Sequence, residues 1–177
     1  MFKTLSRKTV YQNRWMKLHE DIIERPGGIE GLFGVVEKPD FSAIIAVDNG
    51  HIHLVEQYRY PIGQRSLELP MGGWPEQPDA DPLALARGEL QEETGYVAEH
   101  IEQIGYHHVD NGGGTMGCNV FFATGLTFSG RNPDPEEADL EPMTLPLTEF
   151  ERRIKDGEIL DACTIACYGL AKLKGLV

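Results

Sequence analysis

The chain has 177 residues, with 16 Lys and Arg against 28 Asp and Glu for a formal charge of −12, and 41% of its residues are hydrophobic and 25% charged. That length suits one domain with a sizeable core, and that usage excludes a disordered, collagen-like or coiled-coil chain. The acidic balance excludes a global attraction for nucleic acid or anionic membrane, so any phosphate must be met locally, by a few arginines or a bound cation. No apolar run approaches the roughly 18–20 residues of a membrane span. Met1 to Tyr11 is basic and lacks the apolar stretch of a secretory signal. Three cysteines, Cys118, Cys163 and Cys167, are odd in number and lack metal-finger spacing. Cys163 and Cys167, four apart in a helical pattern, read as small buried hydrophobes, and a reducing cytoplasm is the expected setting.

Residues 14–37 read as an antiparallel hairpin in which Trp15–Ile23 and Gly31–Val36 flank Pro26-Gly27-Gly28. A clearer hairpin follows, with Phe41–Val47 and His51–Tyr58 joined by Asn49-Gly50, a strong type I′ turn signal. Ser66–Leu69 is a short strand ended by Pro70 and the Gly72-Gly73 pair. A helix then opens with Asp81 as N-cap and Pro82 in the first position, continues through Leu83, Ala86, Leu90 and Thr94, and stops at Gly95. Gln103–Val109 and Asn119–Ala123 are strand-like, Leu140–Leu145 less so, and the acidic, proline-interrupted 132–142 stretch reads as a loop. Thr148 with Glu151 forms a capping-box pattern for a helix that Gly157 ends, and Asp161 caps a last helix to about Lys174. Strands that surround two or three helices without regular alternation predict an α+β fold with a mixed sheet between helices.

The informative segment is Arg87-Gly88-Glu89-Leu90-Gln91-Glu92-Glu93-Thr94-Gly95. On a helix, Glu89, Glu92 and Glu93 stand at i, i+3 and i+4 and share a face, where each like-charged pair costs a few tenths of a kcal/mol. They also occupy the C-terminal turns, where the macrodipole disfavours anions by about 0.3–1 kcal/mol each when exposed. A solvated acidic face would show the same spacing. A hard divalent cation such as Mg²⁺ would convert the repulsion into ligation. Upstream, Glu68-Leu69-Pro70-Met71-Gly72-Gly73 supplies a rigid turn and two glycines that allow close backbone approach to a metal or phosphate.

Gly72 to Gly95 resembles the Nudix box, whose second half reads R-E-U-x-E-E-x-G with U aliphatic; Glu89 to Gly95 matches its fixed positions. Gln57-Tyr58-Arg59-Tyr60-Pro61, Glu68-Leu69-Pro70, Ala123-Thr124-Gly125-Leu126 and Asp161-Ala162-Cys163-Thr164 are similar to segments of ADP-ribose pyrophosphatase-type members. Three departures stand out. Gly88 occupies the place of the box arginine, with Arg87 one residue earlier and therefore about 100° away around a helix. The spacing from Gly72 to Gly88 is longer than usual, with Asp79 the nearest choice for the upstream acidic position. The loop beyond the box reads Asp110-Asn111-Gly112-Gly113-Gly114-Thr115, without the proline many ADP-ribose hydrolases carry. That glycine run reads equally as a substrate loop or an exposed connection.

The resemblance implies one Nudix domain over residues 1–177, an α/β/α sandwich preceded by an N-terminal β-hairpin region at 7–36 that forms a homodimer in related enzymes. It implies a Mg²⁺-dependent hydrolase, with Mn²⁺ as a substitute, that cleaves ADP-ribose or a related nucleotide sugar to a nucleoside monophosphate and a sugar phosphate. Glu89, Glu92, Glu93 and the backbone carbonyl of Met71 would hold metal, with Glu92 and Glu93 counted as catalytic. Glu137, or Glu136, would be the general base. Arg59, Arg65 and Tyr58 would contact substrate, since arginine binds phosphate bidentately and tyrosine can stack on a base. The alternatives are a GDP-sugar or dinucleotide hydrolase, or a catalytically weak nucleotide-binding module, which the missing box arginine motivates. His107 and His108 alternate across a strand and read as structural.

Overall fold

The computed structural model describes residues 1–74, 76–77, 79–132 and 138–177. Asn49 and Gly50 both adopt positive φ, 49° and 74°, and join β4 (Phe41–Asp48) to β5 (His51–Arg59) as the predicted type I′ turn. The first hairpin is also present, as β2 (Lys17–Arg25) and β3 (Ile29–Glu37), with Gly27 and Gly28 in the left-handed region. Sequence reasoning missed β1 (Lys3–Gln12), which pairs antiparallel with β2. Every residue of β1 is exposed, so it carries no buried alternation to read, and Arg7 fastens it by two 2.8 Å hydrogen bonds donated to Asp21.

The larger sheet is built on a split. β4 and β5 pair only over Ala46–Asp48 and His51–His53, next to their turn, and then diverge. β6 (Gln64–Glu68) follows β5, and β7 (Met71–Gly72) follows β4, so the chain crosses the split at Leu69-Pro70. The Ile44 N–H donates to the Pro70 carbonyl at 3.0 Å and closes the crossing. Beyond β4 lie β9 (Gly117–Phe128), in parallel, and β8 (Tyr96–His108); β10 (Glu141–Pro146) borders β5.

Alternate residues of β4 face opposite layers. Ile44 and Ala46 pack with Ala86 and Leu90 of α1 (Pro82–Glu89) and its continuation. Ala43, Ile45 and Val47 join the core beneath α2 (Leu147–Lys155) and α3 (Ala162–Leu173), with Phe150 and Tyr168. This is the expected sandwich of a mixed sheet between helices. Asp161 caps α3 as predicted, accepting the Thr164 N–H at 2.7 Å. The capping box at Thr148 does not form: α2 starts at Leu147 with Pro146 at the N-cap position and no side-chain cap. Among the described residues no helix is long and apolar enough to cross a membrane.

Candidate active site

Asp81 opens α1 by accepting the Ala84 N–H at 3.2 Å, with Pro82 in the first turn. Two neighbouring rows of this helix are buried. Ala86 and Leu90 form the apolar row against the sheet, while Leu85, Glu89 and Glu93 form a second row four residues apart. The sequence pattern predicts one α-helix to Thr94, but from Leu90 to Thr94 the helix widens into a π turn before Gly95 stops it at φ 82°. The Thr94 hydroxyl bonds the Leu90 carbonyl, a side-chain competitor for the helical ladder of the kind that bends helices. Such π turns concentrate at functional sites.

The three glutamates differ in exposure. Glu89 and Glu93 are 4% and 1% exposed, whereas Glu92 is only half-buried. Glu93 Oε2 accepts the backbone N–H of Met71 at 2.9 Å. The Glu89 carboxylate lies against the Cα of Gly72, so that any Cβ there would overlap it. Gly72 is therefore a cradle for a carboxylate, which is the physical reason for glycine after Met71. From the other side of the split, Glu68, 3% exposed, is held by the Arg59 guanidinium, whose Nε donates to Oε1 at 2.9 Å and whose second nitrogen donates to Oε2. Hydrogen bonding to Glu68, reinforced by the charges of Glu68, Glu93 and Asp161, raises the Arg59 pKa against the opposing effect of burial. Buried carboxylates are costly without compensating charge. An all-oxygen donor set with one side pressed on a glycine has the chemistry of a hard divalent cation site.

The missing box arginine has a structural counterpart. A Cβ on Gly88 would meet Trp74 Cζ2 at 2.6 Å, so the indole covers the helix where a side chain would start. Arg87 does not replace it; its guanidinium donates to the Ala98 carbonyl of β8 at 3.1 Å. Asp79 is exposed in a turn. Tyr58 and Arg65 are cross-strand partners on β5 and β6 and so share the face of that ladder opposite Arg59 and Glu68. There Arg65 pairs with Glu56 at 2.8 Å and Asp139 at 3.5 Å, and Asp139 also accepts the Tyr58 N–H. Glu136 and Glu137 lie outside the described residues. The glycine run is a fastened connection: Val36 donates to Gly113 O at 2.8 Å and accepts from Thr115 N at 3.0 Å, tying the loop to the end of β3.

A Mycobacterium tuberculosis protein named ADP-ribose pyrophosphatase is 35% identical over 167 residues, covering 93% of this chain and 80% of that protein. The chain belongs to the Nudix hydrolase family. A Bacillus methanolicus protein named methanol dehydrogenase activator is 30% identical over 97% of this chain and 93% of its own length. Residues 2–36 of this Nudix chain match the family model described as the nucleoside diphosphate sugar hydrolase N-terminal domain, so the match spans β1 to β3. A crystal structure of an ADP compounds hydrolase shares the fold, with a TM-score of 0.86 across 99% of this chain and 95% of that one at 19% identity. Glu68 and Trp74 are the site residues that sequence reasoning left without a role. Glu68 had a signal, a carboxylate between Leu67 and Leu69; Trp74 had none.

Proposed function

We propose that the chain is a pyrophosphohydrolase acting on a nucleoside diphosphate linked to another group, ADP-ribose or a related nucleotide sugar, and releasing a nucleoside monophosphate and a sugar phosphate. Its relatives' names support the substrate class, and the buried pair Glu89 and Glu93 against Met71-Gly72 is the observation that carries the reading. Glu89, Glu92, Glu93 and the Met71 carbonyl would hold Mg²⁺ or Mn²⁺, which supplies charge neutralisation for the diphosphate and a more acidic water.

The chain's own residues do the positioning. The Met71 N–H orients Glu93, and Gly72 lets Glu89 approach the strand. Arg59, aligned by Glu68, keeps a positive charge beside the carboxylates and facing the diphosphate. Arg65 and Tyr58, on the opposite face of the β5–β6 ladder, would contact substrate from that side, and Glu137 is the candidate base for the proton of the attacking water. Release of AMP from ADP-ribose with Mg²⁺, compared between the parent and Glu93→Gln, tests this; equal rates would remove the role of Glu93.

A second reading, a binding module with little turnover, is favoured by Trp74 standing where the box arginine would begin. Calorimetric binding of ADP-ribose without hydrolysis would select it. We further assign a homodimer, formed through the three-stranded sheet, which exposes Leu5, Val10, Leu32 and Phe33; light scattering of the full chain reads its mass directly. Three free thiols suit a reducing cytoplasm.

A further inference from the structure

Three thiols that lie far apart in sequence meet on the α3 side of the sheet. Cys118 Sγ, from β9, is 3.7 Å from Cys163 Sγ and 4.0 Å from Cys167 Sγ, and the two α3 sulfurs are 3.8 Å apart. Zinc–sulfur bonds of about 2.3 Å at tetrahedral angles place sulfur atoms about 3.8 Å apart, so each edge of this triangle agrees to within about 0.2 Å. Cys118 and Cys167 are fully buried, whereas Cys163 is half-buried and leaves a path to solvent.

A fourth group stands near the triangle but outside the 4.8 Å that encloses the three sulfurs, so a side-chain rotation would bring it to the metal. His107 is the direct cross-strand partner of Cys118, so its ring leaves the sheet on the same side. Gly105, two residues earlier on β8, has its open face against Leu170 of α3, which confirms the direction. The Nε2 atom of His107 is buried and has no hydrogen-bond partner among the described residues. The ring is also near enough to act electrostatically on Cys163. A buried ring nitrogen without a partner is costly and calls for an explanation, such as an unseen ion.

We propose that Cys118, Cys163, Cys167 and His107 form a structural Cys3His site for Zn²⁺, clamping α3 to β8 and β9 and independent of the carboxylate site. Four protein donors leave no open position, as in structural rather than catalytic zinc centres. Binding would release three thiol protons to solvent, while the imidazole binds neutral through Nε2. The clamp bears on the substrate side as well. Thr164, between the two α3 cysteines, accepts the Leu69 N–H at 2.9 Å, next to Glu68.

The test uses the full chain, purified under reductant, with metal content measured directly and Co²⁺ substituted for Zn²⁺. The expected result is one zinc per chain, a thiolate-to-cobalt charge-transfer band, and strong visible bands of four-coordinate cobalt. Cys163→Ala should abolish stoichiometric binding, and His107→Ala should weaken it by about tenfold or more. Glu93→Gln should leave stoichiometry and spectrum unchanged, which separates this site from the carboxylates. Failure of the reduced parent protein to take up zinc at micromolar free metal, or a cobalt spectrum without the thiolate band, overturns the proposal without relying on any variant. Zinc binding by Cys163→Ala equal to the parent's overturns it too.

Discussion

The carboxylate cluster beside α1 and the thiol cluster beneath α3 bury ionisable groups in opposite ways. Glu68, Glu89 and Glu93 are almost fully enclosed, and the protein compensates them with Arg59 and with the Met71 N–H. Cys118, Cys163 and Cys167 can remain neutral thiols and pack as small apolar groups among Val120, Tyr168 and Ala171. A carboxylate site must therefore be constructed at the edge of the core, with donors on the spot, whereas a thiol site can sit inside it. The difference teaches that buried charge leaves visible supports around it and buried sulfur does not.

The largest effect expected from disturbing the first cluster belongs to Glu93→Gln, which should lower the rate of AMP release by about 10²–10³-fold. The same change should leave the metal-free melting temperature equal or higher, because it removes a buried charge. A lower metal-free melting temperature would mean that Glu93 is there for stability. Gly72→Ala places a methyl group on the Glu89 carboxylate and should cost about 10–100-fold in activity, with a matching rise in the metal concentration needed for half-maximal thermal stabilisation. An alanine variant with parental metal dependence would show that Glu89 needs no cradle.

Gly88→Arg sharpens the comparison differently, since restoring the box arginine forces a side chain into the Trp74 ring. It should destabilise by about 1–3 kcal/mol in urea titration, and Trp74→Ala in the same chain should recover most of that loss. The smallest effect is a control at Glu149 on α2, which belongs to neither cluster. Glu149 accepts hydrogen bonds from Arg152 and Arg153, which pull its carboxyl down to about 2. Because the folded value lies below the unfolded value of about 4.3, the bonds stabilise fully above that pH and fade as pH falls towards about 2. Glu149→Gln should lower the melting temperature slightly at neutral pH, as for an exposed pair, and the difference should vanish at the acid end.

Legibility followed chain distance. Asn49-Gly50, Gly27-Gly28, Asp81 with Pro82, and Asp161 act on neighbours within a few residues, and each was readable as a turn or cap that the structure contains. Glu89 and Glu93 were readable for the same reason, since i and i+4 adjoin on a helix. β1 was not, because a strand without a buried residue has no period. The π turn was not, because the Thr94 hydroxyl's choice of the Leu90 carbonyl is a competition that residue types alone do not settle. The Thr148 capping pattern failed where Pro146 set the helix start two residues earlier.

By itself, then, the order of residues determined the turns, the helix starts at Asp81 and Asp161, and an acidic row on one helix, since all are short-range consequences of backbone preference and periodicity. Only the tertiary structure decided that β4 and β5 part to admit Met71-Gly72 beside that row, that Trp74 covers Gly88, and that Cys118 meets Cys163 and Cys167 across 45 and 49 residues. Those contacts depend on how strands diverge and layers stack, and the sum of many weak packing terms across the sheet selects them, with no single local signal in the chain to announce the result.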